Sequence, residues 1–245
     1  MTACNRITVT GADERTDIDS LVELVNEFPS VEVGLLYTAN PEGRPRYPGR
    51  HWLQQAASKL AGRVAIHVCG GDARRELLRG DLSALTRYAP RVQVNGLMLV
   101  HEAEVLSRLV GTLITQHNVP NGHLLRVRAK NHAVLIDSSG GRGVSPELWE
   151  APATEKAYGF AGGLGPANLA AEMAGTAALA TPASWWDMEG KLRVWDWFSV
   201  DLARQCAAIA RDFSITPAAP ADQDVAAAAA ARARAPHGGQ RPARP

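Results

Sequence analysis

From Arg6 to Asp212, short runs rich in apolar and β-branched residues alternate with segments whose apolar residues recur at helical spacing. The runs predict strands at Arg6–Thr10, Val31–Tyr37, Arg63–Cys69, Arg91–Asn95, Thr112–Gln116, His132–Asp137, Ala157–Ala161 and Trp185–Val194. Helices are predicted between them over Asp19–Glu27, with Asp17 or Asp19 as N-cap, and over His51–Leu60, Ala73–Arg87, His101–Val110, Pro166–Leu179 and Ser199–Asp212. Shorter helical segments are predicted around Gly122–Ala129 and Ser145–Glu150. Strands that alternate with helices pair in parallel, because parallel neighbours need a crossover connection. Eight such units predict an α/β fold closed as a (β/α)8 TIM barrel over residues 1–215. No G-x-G-x-x-G segment opens the first unit, which argues against a dinucleotide-binding sheet.

From Thr216 the pattern stops. Residues 216–245 are nearly all Ala, Pro, Arg, Gly and polar, with Val225 as the one large apolar residue. Such a segment buries too little surface to offset its ordering entropy, which predicts a disordered tail with a local basic bias. Over all 245 residues, 26 Lys+Arg face 25 Asp+Glu, a formal net charge of +1. That balance gives no electrostatic reason to expect a nucleic-acid or anionic-membrane partner. No apolar run approaches the about 18 residues of a membrane span, and the first residues lack the basic start and apolar core of a signal peptide. Cys4, Cys69 and Cys206 show no metal or disulfide spacing, so no metal is expected. The expectation is a cytoplasmic globular chain, a monomer or homodimer.

In a barrel of this kind the chemistry sits at the C-terminal ends of the strands. Ile136-Asp137 is followed by Ser138-Ser139-Gly140-Gly141-Arg142-Gly143, a strand-end acid opening into a glycine-rich loop. A partly desolvated carboxylate there suits acid–base work, and glycines let backbone N–H groups approach an anion. An aspartate that merely caps a turn would read the same way. Phe160-Ala161-Gly162-Gly163-Leu164-Gly165-Pro166 makes a strand, a glycine turn and a helix start, where exposed N–H groups favour an anion. The expected partner is therefore a phosphorylated small molecule. In Asp187-Met188-Glu189-Gly190-Lys191-Leu192-Arg193, Lys191 or Arg193 is a candidate for phosphate, or the segment is a solvated charge cluster. Arg44, Arg46 and Arg50 lie in a loop stiffened by proline, suited to carboxylate or phosphate recognition or to solubility alone. His67 and Cys69 share one face of their strand, and His117 ends another; each has a structural reading beside a catalytic one.

Taken in order, these motifs resemble the phosphoribosylanthranilate isomerases, (β/α)8 barrels of tryptophan biosynthesis. Leu135-Ile136-Asp137 with Gly140-Gly141-Arg142-Gly143 resembles that family's LLD…GGxG segment, and Ala161–Pro166 with Asn168 is similar to its AGGLxPxN turn. Gln93-Val94-Asn95-Gly96 stands where the family has QLHG, and Pro45-Arg46-Tyr47 looks like its SPRY segment. The resemblance implies an Amadori rearrangement of a phosphoribosylamine, an aldose–ketose isomerisation that requires no cofactor. It implies Asp137 as general acid, and a phosphate cradle of Gly141, Gly143, Gly162 and Gly163 with Gly190. Arg46 would contact the anthranilate part of the substrate, near Gln93 and Asn95. The family's strand-1 base is a cysteine, and Thr10 stands in its place here. Thr10 is a weak base without an activating partner, so Asp13, Cys69 and His117 are alternatives. A divergent barrel that binds a phosphorylated molecule with other chemistry, or none, is the competing expectation.

Overall fold

A computed structural model describes residues 5–137, 140 and 142–213. Cys4, Gly141 and the expected tail at 216–245 lie outside the described residues. Eight parallel strands close into a barrel in chain order: β1 (Arg6–Thr10), β2 (Val31–Tyr37), β3 (Val64–Cys69), β4 (Arg91–Asn95), β5 (Thr112–His117), β6 (His132–Ile136), β7 (Tyr158–Ala161) and β8 (Trp185–Met188). β8 closes the ring on β1, with Thr8 in register with Asp187. The TIM barrel expected from the alternation is the fold observed.

The outer coat is α1 (Ile18–Glu27), α2 (Arg50–Lys59), α3 (Gly71–Arg79), α4 (Ser83–Thr86), α5 (Val100–Ser107), α6 (Leu169–Thr176) and α7 (Val200–Asp212). Asp17 caps α1, its carboxylate accepting from the backbone N–H groups of Asp19 and Ser20. The helix expected over Ala73–Arg87 is two helices, because Gly80 takes the left-handed conformation (φ +83°) that ends α3. Residues 119–126 form a 3-10 helix rather than an α-helix, and Ser145–Glu150 carries no helix. The strand expected to run to Val194 stops at Met188. A short 3-10 turn, Gly190–Leu192, follows, then a hairpin of β9 (Arg193–Val194) and β10 (Trp197–Phe198). Its tip is Trp195-Asp196, both at positive φ (51° and 65°). No helix of the described residues is long and apolar enough to cross a membrane.

Alternate residues of each strand point into the barrel, and the two halves of the ring fill it differently. On β1–β4, Arg91 donates from Nε to both Glu32 carboxylate oxygens (3.1 and 2.9 Å) and from Nη2 to Thr8 (3.0 Å). On β5–β8, Ile114, Ala133, Leu135 and Trp185 form a buried apolar cluster of their own. Arg91 lies over the Trp185 ring, 4.3 Å from its centroid, and joins the two halves.

Candidate active site

Above that filled floor, at the C-terminal ends of the strands, is a cavity of about 250 Å³. Leu135 and Ala161 line it, with three carboxylates: Asp137 after the end of β6, Asp187 on β8 and Glu189 just beyond β8. Asp137 is buried, with Gln116 Nε2 donating to its Oδ2 at 3.0 Å. Asp187 is buried too, and its Oδ1 accepts from the Thr10 hydroxyl at 2.7 Å. Burial pushes the Asp187 carboxyl up to about 7; the Thr10 hydrogen bond and the Arg91 charge oppose the rise, while Glu32 and Asp137 add to it. Gly34 makes this contact possible: a Cβ there would lie 2.2 Å from Thr10 Oγ1 and 3.1 Å from His67 Nε2. His67 also lines the cavity, and burial lowers it to about 4, leaving a neutral imidazole near pH 7.

The two glycine stretches seen in the sequence meet at one side of this cavity. Gly143 lines it from the segment after β6, and Gly162 and Gly163 line it from the turn after β7. They interlock so closely that a Cβ on Gly162 would lie 2.7 Å from the Val144 carbonyl, and one on Gly163 2.4 Å from the Gly143 carbonyl. Ser145 Oγ donates to the Gly162 carbonyl at 2.8 Å. Asn168 holds the turn from below, accepting from Gly165 N at 2.9 Å and donating to the Gly163 carbonyl at 3.1 Å. Gly190 and Arg142 also line the cavity.

The opposite rim carries Arg46, whose Nη1 lies 3.0 Å from Glu189 Oε1 and whose Nη2 lies 3.5 Å from Asp196 Oδ1. Below it Gln93 donates to Asn95 Oδ1 at 3.0 Å, and Asn95 Nδ2 reaches Cys69 Sγ at 3.4 Å.

Of the residues singled out in the sequence, Asp137, Arg46, Gln93, Asn95, Gly143, Gly162, Gly163 and Gly190 therefore share one cavity, with Thr10 touching it through Asp187. Asp13 does not join them. Its Oδ2 accepts from Arg193 Nη2 (2.9 Å) and from Phe198 N (2.8 Å), and the side chain is fully buried. The same pair removes Arg193 from the cavity: it ties the hairpin to β1 and also donates to the Gly11 carbonyl at 2.6 Å. Lys191 does not line the cavity either, and Arg50 pairs with Glu76. His117 faces the other way, into a separate depression with Ile136, Leu148 and Trp149. Cys69 is held by burial at about 12, too high to supply a thiolate. Asp187 carried no separate signal, because within Trp185-Trp186-Asp187-Met188 only its hydrogen bond across the barrel sets it apart. A larger, open depression of about 550 Å³ lies around Thr112, His132 and Lys156 at the N-terminal ends of β5 and β6, away from both aspartates.

No protein-family model matches this chain, and no curated protein sequence does. Solved structures do. The phosphoribosylanthranilate isomerase of Thermus thermophilus superposes with a TM-score of 0.60 at 17% identity, covering 83% of this chain and 97% of that one. The enzyme of Thermotoga maritima gives 0.60 at 15% identity, over 85% and 100%. The fold is that of the phosphoribosylanthranilate isomerases. A further structure of such an isomerase, bound to reduced 1-(o-carboxyphenylamino)-1-deoxyribulose 5-phosphate, gives 0.58 at 14% identity over 85% and 100%. At these identities the likeness to the phosphoribosylanthranilate isomerases establishes the architecture, and the side chains above carry everything finer.

Proposed function

We propose that this chain isomerises an N-(5-phosphoribosyl)amine to the corresponding 1-amino-1-deoxyribulose 5-phosphate. One observation carries this reading: two buried carboxylates in different surroundings share a cavity with an interlocked glycine turn. The phosphate belongs at Gly143, Gly162, Gly163 and Gly190, with Gly141 expected beside them. Asp137 gives a proton to the furanose ring oxygen as the bond from C1′ to that oxygen breaks, and the amine lone pair forms the C1′=N bond. The Asp187 carboxylate then takes the C2′ proton; its electrons form C1′=C2′, and the C=N pair returns to nitrogen. The enol so formed tautomerises to the ketone.

Asp187 takes the role that Thr10, Asp13, Cys69 and His117 fill poorly. A carboxyl that keeps its proton up to about 7 is a stronger base, once ionised, than an ordinary carboxylate. Thr10 serves it as a hydrogen-bond donor that favours the ionised form.

The test uses the purified full chain with phosphoribosylanthranilate and other N-(5-phosphoribosyl)amines, following ketose formation. Asp137→Asn should lower kcat by about 10²–10⁴-fold, with affinity for a reduced product analogue little changed. Full activity in that variant would overturn the role of Asp137. A second reading follows from Thr10 standing at the strand-1 base position: a phosphate-binding barrel without this isomerisation. It predicts that product analogues raise the Tm while no phosphoribosylamine is turned over.

A further inference from the structure

The rim opposite the glycine turn has an unusual charge arrangement for a site that would hold an aryl carboxylate. Arg46 already faces two carboxylates, Glu189 at 3.0 Å and Asp196 at 3.5 Å. Both come from the segment after β8, and Asp196 is aimed at Arg46 from a hairpin tip where a non-glycine residue holds φ at +65°. A two-residue hairpin turn requires positive φ at both central positions, so the turn itself fixes where Asp196 stands, and its Oδ1 is shared between Arg46 and Arg193 Nε at 3.4 Å. Of the two cations in that segment, Arg193 is bound to Asp13 and Lys191 does not line the cavity. The remaining cation among the described cavity residues is Arg142, from the glycine-rich segment after β6. His67 beside this rim is neutral near pH 7.

A second, independent observation concerns Gln93. It is 3% exposed and lines the cavity, yet its Oε1 has no hydrogen-bond partner while its Nε2 is bound to Asn95. A buried carbonyl oxygen left unpaired is costly, and a ligand N–H supplies what it lacks. A ligand carboxylate supplies none, and it would also meet Glu189 as a like charge.

We infer that the amine portion of the substrate carries an uncharged N–H donor group, such as a carboxamide, where phosphoribosylanthranilate carries a carboxylate. The inference rests on the phosphoribosylamine reading above and specifies its substrate class: Gln93 Oε1 accepts from the ligand, and Glu189 and Asp196 keep Arg46 from attracting anions.

The experiment is calorimetric titration of the full chain with two ligands. One is reduced 1-(o-carboxyphenylamino)-1-deoxyribulose 5-phosphate, and the other is the same compound with carboxamide in place of carboxylate. Wild type should bind the carboxamide about tenfold or more tightly, the scale set by one unfavourable charge juxtaposition. Glu189→Gln should narrow or reverse that preference by tightening the carboxylate ligand, and Asp196→Asn, at an exposed position, should act in the same direction. Wild-type binding of the carboxylate ligand as tight as, or tighter than, the carboxamide overturns the inference and leaves the phosphoribosylamine reading standing. Binding of neither ligand overturns both.

Discussion

The barrel wall made by β1–β4 encloses Thr8, Thr10, Glu32, His67, Arg91 and Gln93, whereas the wall made by β5–β8 encloses Ile114, Ala133, Leu135 and Trp185. A TIM barrel interior filled on one side by ions and hydrogen bonds and on the other by hydrocarbon gives a carboxylate at the seam two opposing environments. Asp187 stands at that seam, two residues above Trp185 on β8 and hydrogen-bonded to Thr10 on β1. Burial withholds water and raises its proton affinity, and the polar wall moderates the rise through Thr10 and Arg91. The lesson is that proton affinity here is set by position between two walls rather than by one partner.

The largest way to break the comparison is Asp187→Asn, which should lower kcat by about 10²–10⁴-fold if Asp187 is the base. In wild type, activity should rise with pH through about 7 as this carboxyl ionises. Stability should move the opposite way. An unfolded carboxyl releases its proton near 3.8 and the folded one holds it to about 7, so the stabilising contribution of proton uptake is lost as pH rises between those values. Tm measured against pH should show that fall in wild type and a flatter curve in Asp187→Asn. A wild-type rate that is flat from pH 5.5 to 8.5 would remove Asp187 from the mechanism.

Next in size, Leu135→Ala cuts into the apolar wall beneath the cavity and should cost about 2–5 kcal/mol by urea denaturation. Thr10→Val probes the polar wall more gently. Losing its hydrogen bond, worth about 1 kcal/mol, should move the rising limb of the pH–rate profile upward by up to about one unit. An unmoved limb would mean that Thr10 does not tune Asp187.

The strands were legible because each is a short, dense apolar run, and β1, β2 and β4 have the bounds read from the sequence. β8 overran because Leu192 and Val194 continue an apolar rhythm, and only Gly190 and the hairpin tip interrupt it in space. Asp137 and the glycine turns were legible as local motifs, acid and glycines being close in sequence. The partner of Thr10 was not, since Asp187 lies 177 positions away and no spacing rule links them. Asp13 misled for the same reason: a strand-end acid looks available until Arg193, 180 positions on, is seen bound to it. Arg46 lines the cavity, but its pairing with Glu189 is a contact across 143 positions that no local motif announces.

β6 is preceded by the 3-10 helix at 119–126, and among the described residues no α-helix lies between it and β7. Leu124 and Val127 from the stretch before it join Val134 and Ile136 of β6 in the main core, with Trp149 packed against that core. Trp149 meets the Phe160 ring edge-on at 5.4 Å and donates from Nε1 to Glu172 at 2.7 Å. Asp137, the acid of the proposed mechanism, thus follows a stave clad by a 3-10 helix rather than an α-helix, and the Trp149 indole beside it ties β7 to α6.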